Sequence, residues 1–326
     1  MSRYETFDRD ELDLRALSDR GHDVCAADCR LERPSQAYEH PDLGHLVAAI
    51  VTARQNRRPV ILMMGGHPIK LGLSRYLIDL IERGFITHLA TNGAGLIHDY
   101  ELARVGGTSE DVAKWIKAGQ FGLWHETGRL NEIMKIAMLE GDGLGEAVGC
   151  MIEQSSFPCR QLSITAAGAR KGVPVTCHVS IGSDIIHAHR NCSGAALGIT
   201  SYLDFLIFAR SVQKLEGGVF LNVGSAVTGP EVYLKALSMA RNVERQHGRE
   251  VRHFTTAVFD LIDLPKSWRD GMPSKGHPLY YYRPWKTILV RTVEDGGKSY
   301  YFRGDHRQTI PTLWHLLVQA ANVTQS

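Results

Sequence analysis

Up to about residue 44 the chain carries no apolar period. Charged residues are scattered through the first twenty positions, and Pro34 and Pro41 interrupt the stretch that follows. An irregular arm is expected there. From His45 the pattern changes. Leu46, Ala49, Ile50 and Ala53 recur at helical spacing, and Val60-Ile61-Leu62-Met63-Met64 is an unbroken apolar run between Arg57-Arg58 and Gly65-Gly66, the signature of a buried strand. Leu73, Leu77, Ile78 and Ile81 mark a second helix ending at Gly84, and residues 86–90 a second strand closed by Thr91-Asn92-Gly93-Ala94-Gly95. The alternation continues with helices over 130–139 and 145–152, a strand over 174–181, and an amphipathic helix over 203–215. A strand over 218–223 then ends in Gly224-Ser225, a helix follows over 230–242, and further strands are expected over 251–259 and 286–292.

Short apolar strands separated by helices argue for right-handed βαβ units and a parallel sheet covered on both faces. The expected fold class is therefore α/β: a doubly wound, mainly parallel, Rossmann-like sheet. It would form one NAD-binding-like domain over 45–326, after an arm over 1–44. The stretch from Asp263 to Tyr282, rich in Pro, Gly, Tyr and charge, is expected to be a long functional loop.

Composition narrows the function classes. Of 326 residues, 44% are hydrophobic and 22% charged, which suits a globular chain with a sizeable core and excludes general disorder. Lys plus Arg number 37 and Asp plus Glu 35, so no cationic excess points to nucleic acid. The start lacks the apolar core of a signal peptide, and no run approaches about 20 apolar residues, so a cytoplasmic protein without a membrane partner is expected. The six scattered cysteines read as reduced thiols.

In such a sheet, ligands bind beyond the carboxyl ends of the strands. Gly65-Gly66-His67, Asn92-Gly93-Ala94-Gly95 and Gly224-Ser225-Ala226 each close a strand with small residues. Glycine allows backbone and pyrophosphate to approach closely. Each turn alone is equally a tight strand–helix connection; the three together favour a nucleotide site, although none carries the full G-x-G-x-x-G pattern. After Gly95 come His98, Asp99 and Glu101, where a carboxylate either holds a ribose or a cationic substrate or caps a helix. Thr108-Ser109-Glu110-Asp111 reads as a helix start. The densest chemistry lies in His178-Val-Ser-Ile-Gly182-Ser183-Asp184-Ile-Ile-His187-Ala-His189. Asp184 suits an amine, and His187 or His189 a general base. His178, Asp184, His187 and His189 alternatively offer ligands for a divalent metal, or the histidines are structural.

These segments resemble the deoxyhypusine synthase family over roughly Pro59 to Ile310. Thr87 to Gly95 with His98-Asp99 is similar to the family's strand, glycine turn and acidic pair. Gly182-Ser183-Asp184 resembles its Gly-Asp segment, Gly224-Ser225-Ala226-Val227 its triple-glycine strand end, and Thr255-Thr256-Ala257 its later Thr-Ala strand. The resemblance implies an NAD-dependent transferase acting on a polyamine or other small amine through an imine, with a protein acceptor and a homotetrameric assembly. It implies a cofactor surface of Thr91, Asn92, Gly93, Ala94, Gly95, Asp99, Gly224, Ser225, Ala226 and Thr256. Amine binding would fall to Asp184, Glu231 and Asp260, and proton transfer to His187. Lys286 would be the imine-forming lysine. The segment Arg283-Pro284-Trp285-Lys286 is one residue shorter than the family's lysine signature, and Pro230-Glu231 stand where the family has paired histidines. Two further readings are a metal-assisted hydrolase or deaminase built on the His/Asp segment, and a nucleotide-binding protein without catalysis.

Overall fold

The structure, a computed structural model, describes residues 3–323; positions 1–2 and 324–326, the outer ends of the expected arm and domain, lie outside the described residues. Its centre is a six-stranded, wholly parallel sheet. The strands are β1 (Val60–Met64), β2 (His88–Asn92), β3 (Val175–His178), β4 (Val219–Val223), β5 (Thr255–Asp260) and β6 (Lys298–Arg303). Their spatial order is 3-2-1-4-5-6. This is the order of dinucleotide-binding sheets, with the topological switch between β1 and β4. The expected doubly wound, Rossmann-like α/β class is what the chain adopts.

The apolar runs are continuous because both faces of the sheet are buried. Val60, Leu62 and Met64 point into one core with α1 (Leu43–Gln55), α2 (Ser74–Glu82) and α9 (His306–Val323). Ile61 and Met63 point the other way, to α7 (Gly194–Gln213) and α8 (Thr228–Gln246). Each such aliphatic side chain, fully buried, contributes about 1.5–3 kcal/mol. A third cluster joins α3 (Gly93–Val105), α4 (Leu130–Glu140), α5 (Leu144–Gln154) and α6 (Ile164–Lys171) outside the β3 edge. By length and composition α7 is apolar enough to cross a membrane, yet its Phe208 and Val212 pack against the sheet as core residues.

Two local expectations change. Residues 286–292 do not form a strand: Trp285–Arg291 is a π-helical segment that connects β5 to β6. Lys286 through Val290 are all buried, so the run shows no alternation by which a strand and a covered helix could be told apart. The segment before α1 is irregular, as expected, but not merely a surface extension. Leu17 packs with Trp115 and Trp124, and Val24-Cys25 pairs antiparallel with Gly107-Thr108.

Candidate active site

At the carboxyl edge, β2 runs directly into α3. Asn92 caps that helix, its Oδ1 accepting from the Gly95 amide at 2.9 Å. The small residues here are required by close packing. A Cβ on Gly95 would overlap the Thr91 hydroxyl, and one on Gly93 would overlap the Asp184 carboxylate. The loop after β3 therefore lays Asp184 against the first turn of α3.

That carboxylate is unusual. Its side chain is 7% exposed, and Oδ2 has no hydrogen-bond partner. Burial pushes its pKa up to about 6. His187 stands behind it. The Nδ1 atom accepts from the amides of Gly182 and Asp184, each at 3.1 Å, which leaves the ring proton on Nε2. Nε2 lies 3.8 Å from Asp184 Oδ2, beyond hydrogen-bond reach, and is itself unpartnered. Burial lowers the His187 pKa, so the ring is neutral near pH 7.

Asp184 faces a cavity of about 210 Å³ whose wall includes Lys70, Ala94, His98, Glu101, Glu110 and, from the N-terminal segment, Arg20. The wall is braced by a buried ionic network. Arg20 forks onto Glu101, with Nη2 to Oε2 at 2.7 Å and Nη1 to Oε1 at 3.2 Å, and it reaches Glu110 at 3.4 Å. Thr127 and Thr108 donate to Glu101 at 2.6 and 2.8 Å, and the Trp124 indole donates to Glu110 at 3.1 Å. Burial raises the pKa of Glu110. Ser109, between them, adopts a left-handed φ of 66°, a strained conformation for a residue with a side chain.

The other expected site residues lie apart from this cavity. Asp99 is buried and fully committed as a cap. It accepts from the Ile164 and Thr165 amides at 2.7 and 3.1 Å and from the Ser163 and Thr165 hydroxyls, each at 2.7 Å. It caps a helix, though not the next one in the chain as expected: the amides belong to the start of α6. Glu231 pairs with Lys235 and with Arg283 at 3.1 Å, and the Lys235 hydrogen bond keeps its carboxyl below the usual range. Asp260 ends β5, accepting from the Tyr282 hydroxyl at 2.6 Å and the Leu261 amide at 2.7 Å. Thr256 is the second residue of β5, at its amino end, and donates to the Ile288 carbonyl at 2.9 Å; it is therefore not on the ligand edge.

At the switch point, Gly224 has a φ of 61°, and a Cβ on Gly65 would meet its carbonyl oxygen at 3.0 Å. Ser225 Oγ accepts from the Gly229 amide, while Ala226 is exposed. Lys286 is buried in the π-helical segment with Nζ 3.6 Å from the centroid of the Tyr280 ring, and it does not line the cavity. His178, Asp184, His187 and His189 do not converge: His178 shares a hydrogen bond with Thr176, and His189 one with the Gly122 carbonyl. Among the described residues no three His, Cys, Asp or Glu side chains are grouped to hold a metal.

No family model and no curated protein matches the sequence. Solved structures do. ArgZ, an arginine dihydrolase from the ornithine–ammonia cycle in cyanobacteria, superposes in its apo form with a TM-score of 0.50 at 13% identity, over 86% of this chain and 33% of that one. AgrE in ternary complex with ornithine and NAD+ gives 0.46 at 14%, over 89% and 34%. A deoxyhypusine synthase candidate from Entamoeba histolytica gives 0.38 at 9%, over 85% and 86%. What is shared is the fold. The chain spans about a third of the length of the first two.

Sequence reasoning missed Arg20, Lys70, Thr108 and Glu110. Gly106-Gly107 directly before Thr108 was the available signal, since paired glycines allow the chain to turn back along α3. Asp111 does cap the short helix Val112–Lys117, so the helix-start reading of that segment is half of its role.

Proposed function

We propose that the protein is an NAD-dependent enzyme acting on a small primary amine through an imine. The observation that carries the reading is the buried, unpartnered Asp184 oxygen in a cavity beside the switch point of a 3-2-1-4-5-6 sheet. Such a sheet supports dinucleotide binding at that point. Gly65, Gly66 and Gly224 let the two turns at that point pack closely on each other and on His98 and His306. The Asp184 charge against Gly93 disfavours a phosphate at the α3 end, so we assign the pyrophosphate to the Gly65-Gly66 and Gly224-Ser225 turns and leave Asn92 to Gly95 as the floor of the amine cavity. NAD, when bound, takes a hydride from the carbon that carries nitrogen. The chain's own part is to bind and orient the amine: Asp184 balances its charge, while the Arg20 network keeps the wall rigid.

The test is NADH formation by the unaltered protein with 1,4-diaminobutane and spermidine, with NAD+ binding measured in parallel by calorimetry. Removing the Asp184 charge as Asp184→Asn is expected to weaken amine binding ten- to hundred-fold, since a desolvated charge-assisted hydrogen bond contributes about 1.5–3 kcal/mol. No heat with millimolar NAD+ overturns the cofactor assignment, and NAD+ binding without turnover favours the non-catalytic reading. The finer reading, aminoalkyl transfer through Lys286, rests on the family resemblance alone, since that lysine is buried beneath Tyr280 and does not line the cavity. A borohydride-trapped adduct that disappears in Lys286→Arg supports it, because guanidinium forms no imine. Turnover without an adduct excludes it.

A further inference from the structure

His98 lies on α3, one turn beyond the glycine segment, and lines the same cavity as Asp184. Its Nδ1 is 2.8 Å from the Thr108 hydroxyl oxygen, and that hydroxyl is itself 2.8 Å from Glu101 Oε2. A threonine has one hydroxyl proton, and a carboxylate paired with Arg20 only accepts. The proton therefore goes to Glu101, and Thr108 receives one from His98. This fixes the ring as the Nδ1–H tautomer, with the lone pair on Nε2 directed away from Thr108. Burial holds the His98 pKa down to about 4, and the facing charges of Lys70 and Arg20 outweigh none of that, since both also disfavour protonation; Glu101 opposes them. The ring is neutral near pH 7. Its other edge abuts the switch-point turn: a Cβ on Gly66 would stand 3.0 Å from His98 Cδ2.

We infer that His98 is a further substrate-contacting residue, held by Thr108, Glu101 and Arg20 so that its Nε2 lone pair accepts a hydrogen bond from a bound primary ammonium. This rests on the amine reading above and adds to it the second acceptor. An ammonium has three N–H donors, and Asp184 Oδ2 is one open acceptor in the cavity wall; a neutral His98 supplies another without adding charge. Thr108, Glu101 and Arg20 are positioning residues, acting only through the tautomer they impose.

Two measurements on the full chain test this. Nitrogen chemical shifts of the protein carrying ¹⁵N-labelled histidine, with His98 assigned by its loss in His98→Phe, are expected to show a protonated Nδ1 and a bare Nε2. In Thr108→Val the same resonances are expected to move toward a mixture of tautomers. Calorimetry with 1,4-diaminobutane is expected to show roughly tenfold weaker binding in His98→Phe, which keeps a ring but removes the acceptor, and a smaller loss in Thr108→Val. A protonated Nε2 in the unaltered protein overturns the inference without reference to any ligand. So does unchanged diamine binding in His98→Phe. If the unaltered protein binds no diamine, the amine reading fails, while the nitrogen shifts still decide whether His98 is held as an acceptor.

Discussion

Glu101 receives hydrogen bonds from Arg20, Thr108 and Thr127, and Arg20 and Glu101 are each 1% exposed at the side chain. A charge buried to that degree is tolerable only while paired, and removing one partner of a buried pair costs about 3–5 kcal/mol. Arg20→Ala, which strands Glu101 and Glu110 together, is expected to lower the urea-unfolding free energy by about that amount. An exposed-pair cost of under about 1 kcal/mol would show that water enters the network. At this scale the sequence was only partly legible. The glycine turns and Asp184 stood out because each follows an apolar strand, where the ligand edge of a parallel sheet lies. Arg20 did not, because nothing within an irregular polar stretch marks which of its many cations folds inward. Thr256 and Asp99 drew attention through neighbouring motifs, yet the direction of β5 and the start of α6 decide where they point.

The elements that sequence pattern recovered, β1 to β5 and several of the helices between them, carry apolar runs with a glycine or proline close to a boundary. Two that it did not recover, β6 and α9, have compositions that argue against them. β6, at the sheet edge, mixes Lys298 and Arg303 with aromatic residues, and α9 carries an internal Pro311, which argues against a helix when read alone. The π-helical segment is a case where two structures share one pattern. Asp99 shows how one element depends on another's side chain, since four hydrogen bonds tie the start of α6 to the middle of α3. Asp99→Ala leaves the Ser163 cap in place but strips the Ile164 and Thr165 amides of their partner, so a loss of about 1–3 kcal/mol is expected in denaturant unfolding. The loss should come with faster amide exchange confined to residues near the start of α6; uniform exchange across the domain would contradict a local capping role.

Across the whole molecule, buried titratable groups of opposite kinds set how stability follows pH. His88, His98 and His178 are held neutral by burial, with pKa values down to about 3, 4 and 4. Their unfolded counterparts take up protons near pH 6.5, so between about 6.5 and 4 these groups make stability fall as the solution is acidified. Asp184 and Asp204 act in the opposite sense. Burial raises them to about 6 and about 7, so the folded chain keeps protons that the unfolded chain has lost, and stability falls as pH rises from about 4 to 7. Three histidines against two carboxyls leave a net loss on the acid side, and His22, His40, His187, His189 and His306, all lowered by burial, deepen it. Stability is therefore expected to rise with pH up to about 7 and to level off above it. Asp204→Asn separates the two sets of groups. It keeps an oxygen for the Gly145 and Cys177 amides, now 2.9 and 2.7 Å from Oδ2, but has no proton to lose. At about 1.4 kcal/mol per pKa unit, the variant should drop more steeply between about pH 7 and 5, because one compensating carboxyl is gone. Urea unfolding at about pH 5, 6, 7 and 8 reads the two curves; curves that stay parallel would mean that Asp204 is ionised throughout and that the buried carboxyl does not govern this pH range.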